Sequence, residues 1–148
     1  MNMVKTMSSR VKVQLKWAFY IEGLINLATT ILCFAAPTFF LTQMTAEEIT
    51  PLSRNLVYWY GVLLFVITAM MVSILYIEEK KSFILIMISY LIGDFLQIAF
   101  AIYFAISLSS WSVGIISTIG ITVPLIILRI IVLAKPDWLG FKEKITNQ

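Results

Sequence analysis

The chain's charges fall so unevenly that they decide what it can fold into. No charged residue occurs between Arg54 and Glu78, and none between Asp94 and Arg129. Both runs exceed the roughly 18 uninterrupted apolar residues that mark a candidate membrane-spanning helix. Composition agrees: of 148 residues 60% are hydrophobic and 13% charged, with a mean hydropathy of +0.93. Ordinary soluble domains hold about 45–50% apolar and about 25% charged residues. A soluble enzyme, a nucleic-acid binder and a disordered regulator are excluded on this ground.

Four apolar segments are expected, at about 17–36, 56–77, 82–108 and 111–134. The 34 uncharged residues from Phe95 to Leu128 are too many for one crossing, and the serine-rich stretch Ser107-Leu108-Ser109-Ser110-Trp111-Ser112 supplies the turn. A strand barrel would need segments of about ten residues with alternating polarity, which are absent. The expected fold is thus a single all-α integral membrane domain over residues 1–148, a four-transmembrane-helix bundle. With both termini cytoplasmic, ten of the eleven Lys and Arg residues lie inside and only Arg54 outside, a strong positive-inside bias. Aromatic residues flank the spans, with Phe39, Phe40, Tyr58, Trp59, Tyr60 and Trp111 at the outer ends.

Before the first span, Val4, Met7, Val11 and Leu15 recur at helical spacing opposite Lys5, Lys12 and Lys16. They suit either a short helix on an anionic leaflet or a solvated basic tail. Residues 42–53 read as an outer loop, Glu78-Glu79-Lys80-Lys81 as a solvated turn. Small residues at i+4 spacing, Ser89, Gly93, Ala101 and Ala105 in the third span and Ser110, Gly114, Thr118 and Thr122 in the fourth, predict a tight antiparallel hairpin. Pro124 should kink the fourth span or loosen its hydrogen bonds.

The chain has no histidine and a single cysteine, Cys33, so no disulfide, cysteine-based metal site or cofactor is expected. Proton chemistry falls to carboxylates and tyrosines. Glu22, Asp94 and Arg129 lie within apolar runs, where a charge faces the bundle interior, pairs or is neutralised. Glu22 and Arg129 each lie about 9 Å from the inner basic boundary, and Asp94 about 20 Å from it, at about 1.5 Å per residue. A Glu22–Arg129 pair is therefore expected, tying the first helix to the fourth. Asp94 is expected deeper, looking into a polar chamber with Asn26, Tyr90, Gln97, Thr118 and Thr122. There it would donate a hydrogen bond, shuttle a proton or hold a cationic ligand. The competing structural role is to hydrogen-bond neighbouring helices.

Patches of sequence suggest known families. Tyr20-Ile21-Glu22-Gly23 and Trp111-Ser112-Val113-Gly114 resemble motif fragments of small multidrug transporters, although the second opens the fourth helix here rather than lying in the third. Arg54-Asn55-Leu56 with Trp59-Tyr60, Asp94 with Gln97, and Pro124 with Lys135-Pro136 resemble segments of the four-helix emopamil-binding, sigma-2-like (EXPERA) membrane proteins. That resemblance covers about a fifth of the chain and implies a pocket for sterol-like or amine-bearing molecules.

The leading expectation is a multi-pass membrane protein that binds or processes a small hydrophobic molecule (sterol-like, terpenoid or amine-bearing) in an intramembrane polar pocket. Asp94 and Glu22 would be its catalytic acids and Asn26, Tyr90, Gln97, Thr118, Thr122 and Arg129 its ligand contacts. As an enzyme it would be a cofactor-independent acid/base isomerase or cyclase. Its partners would be membrane lipid and the hydrophobic ligand, not nucleic acid. The alternatives are a small proton-coupled multidrug or cation transporter working as a homo-oligomer, and a non-catalytic membrane-complex subunit.

Overall fold

A computed structural model describes residues 2–139, with side chains from Lys16 onward apart from Asp137 and Leu139. It is all-helical among these residues: α1 (Asn2–Ala35), α2 (Pro37–Met44), α3 (Pro51–Ile77), α4 (Lys80–Ser107) and α5 (Val113–Ala134), then a 3-10 turn (Pro136–Leu139). The segments Lys16–Ala35, Pro51–Ile77, Lys80–Ser107 and Val113–Ala134 are each long and apolar enough to cross a membrane. Large apolar side chains such as Leu24, Leu63, Ile92, Phe100 and Ile127 are exposed along all four.

Local chemistry sets the boundaries. Pro37 disfavours helix at Ala36, which turns to an extended φ of −143° and restarts the chain as α2. The outer connection is therefore partly helical, where a loop was expected from residue 42. At the start of α3, Thr50 and Ser53 form a capping box: the Ser53 N–H donates to Thr50 Oγ1 at 3.2 Å and the Thr50 N–H to Ser53 Oγ at 3.0 Å. With Pro51 in the first turn, the helix begins five residues before the apolar run starts at Leu56. Ser112 caps α5 by accepting from the Ile115 N–H at 3.3 Å. Residues 2–15 continue into α1 without a break, rather than forming a separate short helix. α5 stays helical through Pro124. Glu78 adopts a left-handed φ of 57° between α3 and α4 and pairs with Lys16 of α1, so this turn is more than a solvated link.

Packing follows two pairs. α1 lies along α3 and α4 along α5, while α3 and α4 touch only sparsely. At the end nearest Glu78 all four long helices converge on a core of Phe19, Met71, Leu75, Phe83, Met87 and Val132. There the rings of Phe19 and Phe83 meet edge to face, 5.6 Å apart. Towards α2 this shared core ends, and a smaller cluster of Ala101, Ala105 and Ile115 belongs to α4 and α5 alone.

The predicted α4–α5 hairpin forms, but only part of its small-residue ridge is used. Ala101 and Ala105 are buried in it, whereas a Cβ at Gly93 would meet nothing within 4 Å and Ser89 is exposed. Gly114 faces α2 instead, where a Cβ would come 2.6 Å from the Gln43 carbonyl oxygen. Between α1 and α3 the close approach is at Gly61, where a Cβ would stand 3.0 Å from Cys33 Cβ. Cys33 is a buried packing residue there.

Candidate functional site

Among the described residues Arg129 is the most deeply buried charged side chain, 1% exposed, and it serves two acids at once. One guanidinium nitrogen, Nη2, donates to Glu22 Oε1 of α1 and the other, Nη1, to Asp94 Oδ2 of α4. Glu22 is 5% and Asp94 7% exposed. A planar guanidinium suits this bridging, because its donors are fixed in a fork. The Tyr90 ring, one turn before Asp94, lies 5.0 Å from the guanidinium carbon, close enough for a cation–π contact. Its hydroxyl donates to the Ile67 carbonyl of α3. The cluster thus fastens the α1–α3 pair to the α4–α5 pair immediately beyond the shared core.

The expected Glu22–Arg129 pair is present; the expected separation of Asp94 from it is not. Axial arithmetic neglects side-chain direction. Cα–Cβ bonds tilt towards a helix's N-terminus, and α5 runs antiparallel to α1 and α4. Arg129 therefore leans towards the level of Asp94 while Asp94 leans towards Arg129.

The threonine hydroxyls of the bundle, Thr118 and Thr122 of the expected chamber among them, mostly serve their own helices. Thr68 donates to the Leu64 carbonyl at 2.7 Å, Thr118 to Gly114 at 2.8 Å and Thr122 to Thr118 at 2.8 Å. Such back-bonding satisfies a hydroxyl without a partner helix. Thr30 is buried with its hydroxyl unbonded, and Asn26 is half-buried one turn beyond Glu22. Gln97 is exposed on the far side of Asp94 from the shared core.

A cavity of about 580 Å³ opens instead where the helix pairs part, within the roughly 300–1,000 Å³ typical of small-molecule sites. α2 and the connection after it cover one side. Phe40, Tyr60, Phe100 and Phe104 supply aromatic walls, and aliphatic side chains from α2 to α5 fill between them. Gln97 and Thr118 are the two anticipated ligand contacts that line it. Asp94, Glu22, Asn26, Tyr90, Thr122 and Arg129 do not, so the single polar chamber expected around Asp94 resolves into a closed ion cluster and a separate apolar cleft. Glu47 and Glu48 also line the cleft, and among the described residues no Lys or Arg does. Sequence reasoning missed this because the first span was ended at about residue 36 and the loop begun at 42, which left residues 37–41 in no element; Pro37 ahead of Phe39-Phe40-Leu41 was the available signal.

Among the described residues no group of three or more His, Cys, Asp or Glu could hold a metal ion. No protein-family model, curated protein or solved structure matches this chain. The geometry offers a closed cluster suited to joining helices and a cleft suited to admitting an apolar guest.

Proposed function

We propose that this chain is a multi-pass membrane protein with both termini cytoplasmic, and that it binds a small hydrophobic molecule in the cleft beneath α2. The charge distribution and the exposed apolar belt support the membrane setting, since soluble monomers rarely expose contiguous apolar patches beyond a few hundred Å². The cleft carries the functional reading: it is large, apolar, walled by aromatic rings and lined by few polar groups, the usual anatomy of a small-molecule site. With α3 and α4 barely touching beside it, a guest dissolved in the bilayer reaches the cleft sideways. Binding rather than turnover is the function supported, because the two acids suited to proton transfer are held by Arg129 and are not among the lining residues.

Filling the cleft tests this. Gln97→Trp and Leu56→Trp place bulk at exposed lining positions, and Ile92→Trp places the same bulk at an exposed position outside the lining. Each purified protein is incubated in lipid nanodiscs with a fluorescent sterol and, separately, a fluorescent long-chain alkylamine. The first two variants should bind at least one probe roughly tenfold more weakly than wild type, a change of about 1.4 kcal/mol, while Ile92→Trp binds normally. Equal binding by all four proteins, or by none, overturns the proposal.

The sign of the lining charge adds a preference. Glu47 and Glu48 make the cleft's polar border acidic, so a cationic head is favoured over an anionic one. In competition the alkylamine should displace the bound probe at lower concentration than a fatty acid of equal chain length. The reverse order would contradict the acidic border's role.

A further inference from the structure

The cluster around Arg129 has two acids and one base. Fully ionised, Glu22, Asp94 and Arg129 sum to a net charge of −1 in a place with almost no solvent contact. Two further observations point to something missing there. Glu22 Oε2 is buried without any hydrogen-bond partner, and so is Arg129 Nε. The guanidinium gives one arm to each acid, Nη2 to Glu22 Oε1 and Nη1 to Asp94 Oδ2, and neither of these bonds engages the outer oxygen of Glu22.

Among the described residues no other ionisable group is placed to balance the charge. On α4 the neighbouring titratable group is Tyr90, whose hydroxyl is engaged by the Ile67 carbonyl. α3 has no ionisable residue between Tyr60 and Tyr76 and presents Thr68 beside Gly23. On α5 only Arg129 is charged, and on α1 the nearest charge is Lys16, six residues earlier and paired with Glu78. An uncompensated charge away from water is strongly disfavoured, and two carboxylates sharing one site lose their protons in separate steps as a coupled pair.

We propose that the Glu22–Arg129–Asp94 cluster is a proton-binding site that holds one exchangeable proton between its two acids, with the vacant Oε2 of Glu22 as its place. Water supplies the proton and takes it back; no other bond is made or broken. Glu22 belongs to the α1–α3 pair and the other two residues to the α4–α5 pair, so the proton's arrival and departure change the charge at the joint between the halves. The site does not depend on what fills the cleft, and its test makes no use of the cleft.

Charge counting sets the test. Replacing either acid by its amide leaves one carboxylate facing one guanidinium, which is neutral without a proton. Infrared difference spectra of the full chain in lipid, at neutral pH in H2O and D2O, should show a protonated carboxylic C=O band in wild type. That band should vanish in Glu22→Gln and equally in Asp94→Asn. A wild-type spectrum without the band overturns the proposal and needs no variant to fold. A band that persists in both variants overturns it as well, since the proton then belongs to another acid. A purely structural ion cluster with both acids ionised predicts no band in any of the three.

Discussion

Arg129 is the residue whose removal should be felt most. Arg129→Met would leave Glu22 and Asp94 facing each other with no cation, and breaking a buried ion pair from one side typically costs about 3–5 kcal/mol. The triple change Glu22→Gln/Asp94→Asn/Arg129→Met removes the charges together and should recover part of that loss, since no uncompensated charge is left buried. Thermal unfolding in one mild detergent, compared across wild type, single and triple variants, measures both. A single variant as stable as wild type would show that the three side chains do not act as a unit. The three charges themselves were legible in the sequence, because ionisable residues inside apolar runs stand out. Their arrangement was only half legible. Counting rise per residue located Glu22 opposite Arg129 but put Asp94 at another level, and only the opposed tilts of side chains on antiparallel helices bring the third member in.

At the scale of helices, two glycines that look alike in sequence do different things. Both Gly93 and Gly114 sit on small-residue ridges at i+4 spacing, yet Gly93 faces open space and Gly114 lies against the backbone of α2. Gly93→Ala should be neutral or stabilising by about 0.5–1 kcal/mol, because alanine is the better helix former. Gly114→Ala must move the Gln43 carbonyl or α5 itself, since a backbone atom at 2.6 Å cannot yield as a flexible side-chain end does. Overpacking of this kind costs about 1–3 kcal/mol, and here it should lift α2 from the cleft. Hydrogen exchange over residues 37–50 reads the effect directly: faster exchange in Gly114→Ala, none in Gly93→Ala. Equal exchange in both would mean that α2 is not seated on Gly114. The hairpin of α4 and α5 was visible in the sequence as a short serine-rich turn between apolar runs. The use of each small residue was not, because spacing reports which residues share a helix face and leaves open which neighbour that face meets.

The whole molecule is two helix pairs joined at one end, and its asymmetry connects the cleft to the topology. The shared core and the Lys16–Glu78 pair lie at the end rich in basic residues, while α2, Glu47 and Glu48 lie at the end where Arg54 stands alone. If the basic end is cytoplasmic, the cleft sits in the outer half of the bilayer with its acidic border at the far surface. A cationic amphiphile seated there would keep its head at the outer interface and its chain between α3 and α4. Single cysteines decide the orientation, because native Cys33 is buried against α3 beside Gly61 and gives a membrane-impermeant maleimide nothing to label. In intact cells Glu48→Cys should react and Lys81→Cys should not; after membranes are opened both should react, since both positions are exposed. Labelling of Lys81→Cys in intact cells, with Glu48→Cys protected, would invert the topology and turn the cleft's acidic border towards the cytoplasm. The guest would then be drawn from the inner leaflet, where anionic lipids would compete with Glu47 and Glu48 for its positive head.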